Sequence, residues 1–218
     1  MIAVSLAPAA LSWATSRLRD LNRGAALPAG IGSDDELVAR AMRGDRQAFD
    51  DLYRRHVDLV WGRLGRLIGP DPEREDLVQQ IFLEVFRSLP RFRGDASFRT
   101  FLYRVMLNLA SDHLKRRGKR ASHVIDVADL DQLVDGAGSP ELRAAERERL
   151  ARTMTLLDRI KPKKRLAFVL RVVEGLSLEA IAELVEATPA AVAQRVRHAH
   201  LELCALMEND RANDRGQS

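Results

Sequence analysis

Apolar residues recur at three- and four-residue spacing through four consecutive segments between residues 34 and 117. The third segment is the most sharply two-faced, with one apolar stripe formed by Leu77, Val78, Ile81, Phe82, Val85, Phe86 and Leu89. This period is that of amphipathic α-helices. The chain has only 13 glycines and 8 prolines, too few for the many turns of an all-β protein. The sequence therefore predicts an all-α fold class.

Helix-start signals divide the first of two predicted helical domains, residues 33–120, into four helices. Ser33 and Glu36 have the spacing of a capping box, in which each side chain bonds the other residue's backbone N–H. Pro72 suits the first turn of the third helix. The predicted N-caps of the four helices are Ser33, Asp45, Asp71 and Ser97.

Charge is strongly segregated along the chain. Residues 87–120 contain ten basic and two acidic residues, a net charge of +8, whereas residues 121–141 carry five acidic residues and no Lys or Arg. So many like charges favour a polyanionic partner, and the interleaved aromatic residues suit single-stranded nucleic acid. Phe98 and Phe101 follow the apolar stripe and are expected in the core. Residues 121–139 are predicted to be a flexible acidic linker between the domains.

The second helical domain, residues 140–208, contains a helix-turn-helix pattern. Ser177 can cap a short helix, and Thr188 followed by Pro189 can start a longer one. A plain helical hairpin is the alternative, but the second helix carries side chains suited to a DNA groove. The candidate DNA-binding residues here are Thr188, Gln194, Arg195, Arg197 and His198.

The two ends of the chain are expected to be a disordered extension, residues 1–32, and a disordered tail, residues 209–218. Residues 2–16 are uncharged and Ala-rich like a secretion signal, but they lack a positive first segment and Pro8 interrupts them. The sequence contains no run of 18 apolar residues, so neither a membrane-spanning helix nor direct membrane insertion is expected. The single cysteine, Cys204, fits a reducing compartment, so a cytoplasmic location is expected.

Catalytic patterns are absent from the sequence. It contains no phosphate-binding glycine loop, nucleophile elbow or paired-carboxylate motif, and the histidines lack companions at ligand spacing. The sequence therefore predicts no catalytic residues, no metal site, no cofactor and no enzyme activity. A metal-dependent nuclease, the enzymatic alternative, would need clustered carboxylates.

Three segments carry a family resemblance. They read EDLVQQIFLEVF at residues 75–86, FRGDASFRTFLYRV at residues 92–105 followed by Asn108, and EGLSLEAIAEL at residues 174–184. Together and in this order, they resemble an extracytoplasmic-function (ECF, group IV) sigma factor of bacterial RNA polymerase. The resemblance covers about residues 34–207, and the first two motifs are contiguous and specific.

The resemblance implies a division of labour. The first domain would bind the clamp helices in the largest subunit of core RNA polymerase through Asp76, Gln79, Gln80 and Glu84. It would also recognise and melt the minus-ten promoter element with Arg91, Phe92, Arg93, Arg99, Arg104, Asn108, Lys115 and Arg116. The second domain would bind minus-thirty-five DNA, and the acidic linker would thread the polymerase channel. An antagonist, an anti-sigma factor, is implied as a further partner.

The recognition helix departs from the family pattern. Ala191 and Ala193 cannot donate hydrogen bonds to bases or phosphates, and the usual turn glycine is replaced by Glu186 or Ala187. Minus-thirty-five binding would then lean on DNA shape and on Arg195. The competing function is a stand-alone helix-turn-helix regulator that binds duplex DNA without polymerase.

Overall fold

A computed structural model describes residues 33–118 and 140–216 of the 218-residue chain, and these residues form helices and turns with no strand. The all-α prediction is confirmed. The extension at residues 1–32 and the linker at residues 121–139 lie outside the described residues. The first domain contains α1 (Asp34–Met42), α2 (Arg46–Ile68), α3 (Arg74–Ser88) and α4 (Phe98–Arg117). The second contains α5 (Pro140–Asp158), α6 (Pro162–Phe168), the π-helical segment Val169–Val173, α7 (Leu178–Leu184) and α8 (Pro189–Gly216).

Three of the predicted N-caps in the first domain are confirmed. The Ser33 hydroxyl accepts the Glu36 N–H, and a Glu36 carboxylate oxygen accepts the Ser33 N–H, which completes the capping box. Asp45 accepts the N–H groups of Gln47 and Ala48 in the first turn of α2. Ser97 accepts from the Thr100 N–H at 3.2 Å. Each cap satisfies backbone donors that a helix start leaves unpaired.

The predicted N-cap at Asp71 is wrong, because α3 begins at Arg74 and is preceded by a turn. The Asp71 carboxylate accepts the Glu73 N–H within that turn, at 2.9 Å. Its other oxygen lies 2.7 Å from His113 Nε2 and 2.8 Å from an Arg117 nitrogen, both on α4. Asp71 therefore ties the α2–α3 connection to α4 instead of capping a helix.

The C-terminal segment also differs from its prediction, because α8 continues as helix through Gly216. The sequence contains no glycine or proline between Pro189 and Gly216, so nothing in this stretch breaks the helical backbone. Arg152 of α5 lies 3.7 Å from Asp210 near the end of α8. This part of the predicted tail extends the second domain.

The predicted apolar stripe of α3 faces the core of the first domain. Six of its seven residues are buried, at 3% exposure or less, and Phe86 is half-buried. The aromatic rings of Phe49 and Phe86 pack edge to face, with centroids 4.9 Å apart. In the part of the chain with assigned structure, no helix is long and apolar enough to cross a membrane.

The two domains are in direct contact. The π-helical segment packs on α2, while α6 and α7 pack on α4. Arg165 of α6 is 1% exposed and donates from Nε to the Leu67 carbonyl at the end of α2, at 2.9 Å. Asp158 of α5 pairs with both Arg165 and Arg117, so it joins the second domain to α4. Much of the contact is therefore polar and buried.

Candidate nucleic-acid interface

An open pocket of about 280 Å³ lies where α3 connects to α4. It is lined by the end of α3, the connecting loop and the first turns of α4, namely Ser88, Arg91, Phe92, Arg93, Asp95, Ala96, Phe101 and Arg104. The Phe92 and Phe101 rings pack with centroids 5.1 Å apart. Gly94 has a φ of 78°, a left-handed conformation that glycine adopts without strain. The pocket thus combines cationic groups with aromatic surface.

The pocket gathers only part of the predicted minus-ten set. Arg91, Phe92, Arg93 and Arg104 line it, whereas the exposed side chains of Arg99, Asn108, Lys115 and Arg116 do not. Lys115 instead lies 2.7 Å from Asp112, one helical turn away. These four side chains remain predicted contacts for DNA that extends along α4, outside the pocket.

The aromatic residues of this region divide between the core and the pocket. Phe98 is 1% exposed and packs against His56 in the core, as expected. Phe101 is half-buried but also lines the pocket. The prediction that Phe101 lies in the core is therefore only partly right. The ring packs against the core and also lines the pocket.

The outer face of α3 carries the residues predicted to bind polymerase. Asp76, Gln79 and Gln80 are exposed, and Glu84 is half-exposed with its carboxylate 3.3 Å from Arg87. Sequence reasoning missed Leu83, which is 63% exposed among these polar side chains. Its position outside the apolar stripe was the available signal, since a leucine that the core does not use is a candidate for a partner's surface.

The helix-turn-helix has the predicted capping and packing. Ser177 accepts from the Ala180 N–H, and Thr188 accepts from the Ala191 N–H at 3.2 Å. Ala182 and Val192 are buried between the two helices. The Thr188 oxygen accepts one hydrogen bond at the cap, which leaves its O–H group available to donate to DNA.

The predicted recognition residues lie on the outer side of α8. Gln194 and Arg197 are exposed, and Arg195 and His198 are half-exposed. Spacings of three and four residues place Gln194 on the same helix face as Arg197 and His198. Three of the four polar side chains can therefore approach one groove together.

The turn between α7 and α8 shows which residue replaces the expected glycine. Glu186 has a φ of 48°, and it is the non-glycine residue with positive φ in the described ranges 33–118 and 140–216. A side chain in this conformation is strained by contact between Cβ and the backbone. Glu186, and not Ala187, occupies the left-handed position of the turn.

Replacing Glu186 by glycine is expected to raise the free energy of unfolding by about 1 kcal/mol, because glycine removes that strain. Glu186 is exposed, so the substitution disturbs no core contact. Urea unfolding followed by circular dichroism measures the change. Replacing Ala205, an exposed residue inside α8, by glycine is the control and should lower stability by about the same amount. Equal losses in both variants would contradict the strain at Glu186.

Clusters that could hold a metal ion do not occur in the described parts of the chain: no three His, Cys, Asp or Glu side chains converge there. Cys204 is half-buried and lies 3.8 Å from His200, and burial raises the pKa of its thiol. This cysteine therefore behaves as a packing residue.

Comparisons with known protein families agree with this geometry. Sigma-70 region 2 matches residues 52–120, which contain the pocket and the α3 face. Sigma-70 region 4 matches residues 150–203, which contain the helix-turn-helix. The fold and the two matched regions define a sigma factor.

Proteins of similar sequence show to which group of sigma factors the chain belongs. RNA polymerase sigma-H factor of Pseudomonas aeruginosa is 34% identical over 170 residues, covering 75% of this chain and 88% of the relative. ECF RNA polymerase sigma-E factor of Escherichia coli K12 is 30% identical over 170 residues, covering 75% of this chain and 88% of that relative. The chain belongs to the ECF family of RNA polymerase sigma factors.

Two solved structures are similar to this fold. CnrH in complex with the cytosolic domain of CnrY is 27% identical, with a TM-score of 0.54 over 81% of this chain and 98% of that one. The sigma factor RpoE in complex with the anti-sigma factor NepR, from Bartonella quintana, is 18% identical, with a TM-score of 0.51 over 73% of this chain and 96% of that one. The second likeness concerns the fold alone.

Proposed function

We propose how this ECF sigma factor divides promoter-directed transcription initiation between its two domains. The first domain joins core RNA polymerase and melts the minus-ten element, and the second binds minus-thirty-five DNA. The observation that carries this proposal is the pocket at the α3–α4 connection, which places three arginines around the Phe92 and Phe101 rings. In this proposal the protein works in the cytoplasm, where the polymerase is, and catalyses no reaction of its own.

Strand opening needs a protein surface that compensates for lost base stacking. Unstacking duplex DNA costs about 1.4 kcal/mol per base-pair step. An unpaired base stacked on an aromatic side chain regains about 1–3 kcal/mol. In the proposed complex, an extruded base enters the pocket beside Phe92, with Asn108 further along α4. Arg91, Arg93, Arg99 and Arg104 hold the phosphates of the displaced strand, and Lys115 and Arg116 extend this contact.

Minus-thirty-five binding uses the outer side of α8. Gln194 and Arg197 reach the groove, with Arg195 and His198 beside them. Because Ala191 and Ala193 offer no polar atoms beyond their backbone, the reading of bases is weak and DNA shape contributes. Thr188 contributes at the start of the helix.

Polymerase binding uses the exposed face of α3, formed by Asp76, Gln79, Gln80, Leu83 and Glu84. The polar groups orient the contact, and Leu83 supplies apolar area at its centre. The solved relatives CnrH and RpoE are bound to CnrY and NepR. By analogy, an anti-sigma protein controls this chain as well.

Removing both Arg93 and Arg104 is expected to reduce the salt dependence of open-complex formation. Each phosphate contact that is lost lowers the slope of log K against log salt by roughly 0.7 to 0.9. Permanganate reactivity of unpaired thymines, measured with core polymerase at several salt concentrations, gives this slope. The control removes the same charge from the exposed Arg43 and Arg46, which do not line the pocket. An unchanged slope in the pocket variant shows that the phosphate assignment is wrong.

Reconstitution with core polymerase tests the whole proposal. We expect the chain to co-migrate with sigma-free polymerase and to direct initiation at a small set of promoters. A stand-alone regulator would instead bind specific duplex DNA by itself and would ignore polymerase. That outcome would refute the sigma mechanism proposed here.

A further inference from the structure

The face of the first domain that meets the second domain is cationic. Arg63 and Arg66 lie on α2, and the Arg63 guanidinium stacks over the Tyr103 ring of α4 at 4.4 Å. Arg104, which lines the pocket, follows Tyr103 in sequence. Arg63 and Arg66 are 9% and 4% exposed, so both are covered when the domains are in contact. This face is continuous with the candidate nucleic-acid interface through Arg104.

Carboxylates of the second domain cover this face. Glu174 follows the π-helical segment, and its side chain is 2% exposed. One Glu174 oxygen lies 2.5 Å from Arg66 Nε, and the other lies 2.9 Å from an Arg63 nitrogen. Glu183 of α7 lies 3.5 Å from Arg104. The second domain thus places two negative groups against three arginines of the first.

The carboxylates do not satisfy all the donors they face. Arg63 Nε, Arg104 Nε and the Tyr103 hydroxyl are buried and have no hydrogen-bond partner among the described residues, and neither has the Glu174 oxygen that forms the ion pair with Arg63. A buried donor without an acceptor is unfavourable, because it has lost its hydrogen bonds to water. Glu174 therefore pairs incompletely with the arginines that it covers, and a ligand with several acceptor oxygens would reach donors that this carboxylate leaves unpaired.

Electrostatics indicate the charge of that ligand. Burial lowers the pKa of Arg63, Glu174 counteracts this, and the neighbouring Arg66 and Arg99 lower it further. The arginines near Arg63 thus repel one another, and the Glu174 carboxylate compensates only part of their positive charge. Guanidinium groups bind phosphates through paired hydrogen bonds, and a nucleic-acid strand supplies one phosphate per nucleotide.

We propose that Arg63 and Arg66 form an additional phosphate-binding site for single-stranded DNA, and that Glu174 occupies this site while the two domains are in contact. The proposal rests on the proposed function, since it extends the path of the displaced strand from the pocket, past Arg104, to α2. In the closed chain the second domain keeps the strand-binding surface covered. When the domains separate, the two arginines become available to the strand.

Glu174→Gln tests the proposal in the full chain. It removes the negative charge, so Arg63 and Arg66 lose the compensation that favours closure. The control, Glu202→Gln, makes the same change at an ion pair with Lys164 inside the second domain. The probe is a fluorescein-labelled 20-nucleotide oligothymidine, measured by anisotropy without polymerase, and small-angle X-ray scattering reports domain separation.

We expect Glu174→Gln to bind the oligonucleotide about tenfold more tightly than the wild type, because a larger fraction of molecules is binding-competent. Its salt slope should steepen by about 0.7 for each arginine that is freed. Its radius of gyration should increase, whereas Glu202→Gln should match the wild type. Adding Arg63→Ala and Arg66→Ala to Glu174→Gln should remove the gain in slope while the chain stays open.

Two outcomes overturn the proposal: an affinity unchanged by Glu174→Gln, or a gain that persists after Arg63 and Arg66 are removed. If Glu174→Gln misfolds by circular dichroism, Glu183→Gln replaces it, since the Glu183 side chain is 61% exposed. It should tighten binding about twofold, and adding Arg66→Ala should reverse this. Promoter opening by the wild-type chain with core polymerase distinguishes failure of this inference from failure of the proposed function. If the promoter opens but Glu174→Gln has no effect on binding, only this inference is wrong. If the promoter does not open, the proposed function is wrong.

Discussion

Replacing Leu83 by aspartate is expected to weaken binding to core RNA polymerase by about a hundredfold, or roughly 2.7 kcal/mol. Leu83 is 63% exposed among the polar side chains of α3, so it makes little contact with the core and folding does not depend on it. In the complex, an aspartate at this position would be buried without a partner, which is costly. Central apolar contacts of this kind dominate the energy of many interfaces.

Titration of labelled core polymerase by fluorescence measures this loss. Met42→Asp is the matched control, because Met42 is also an exposed apolar residue of the first domain, at 44%, but lies at the end of α1. It should bind polymerase like the wild type. Unfolding curves of both variants should overlap with that of the parent chain. Equal affinities for Leu83→Asp and the parent would show that the α3 face does not bind polymerase.

Replacing Asp71 by alanine is expected to destabilise the first domain by about 3–5 kcal/mol, the range for removing one partner of a buried ion pair. The Asp71 side chain is 2% exposed and bonds to both His113 and Arg117, which are 4% and 8% exposed. Without the carboxylate, these two side chains stay buried with less compensation. Urea unfolding at pH 7, followed by circular dichroism, should show an earlier transition.

The matched control is Asp112→Ala, which removes an exposed carboxylate paired with Lys115 on the same helix as His113. Exposed pairs contribute at most about 1 kcal/mol, so its transition should hardly move. Similar losses in the two variants would contradict the assigned role of Asp71.

The same carboxylate predicts an acid dependence. Burial by itself would raise the pKa of Asp71, but hydrogen bonds from His113, the Glu73 N–H and Arg117 hold it far below its ordinary value. A carboxyl group with a lowered pKa stabilises the fold above its unfolded pKa of about 3.9. This contribution is lost as the pH falls below about 4, so Asp71→Asn should show a flatter loss of stability there than the wild type.

Local features of the fold were predictable because helix periodicity and capping depend on residues three or four positions apart. The buried stripe of α3 and the caps at Ser33, Asp45 and Ser97 follow from such spacings. The cap at Asp71 was wrong because a turn separates this residue from α3, and the sequence does not show that its carboxylate also bonds His113, 42 positions away.

The candidate sites were predictable to a different degree. The loop at residues 91–95 and the start of α4 are close in sequence, so the members of the pocket could be proposed from charge and aromatic content. The exposure of Leu83 could be read from the helix period as well. Which cations line the pocket and which point elsewhere along α4 required the three-dimensional arrangement.

The sequence by itself determined the helices, the family motifs and the segregation of charge, because these properties belong to short stretches of chain. The tertiary structure alone decided which distant charges meet. Arg66 and Glu174 are 108 positions apart, and nothing local to either residue shows that they form a buried pair. Such pairs depend on how two domains pack, and packing is set by the shapes of whole surfaces.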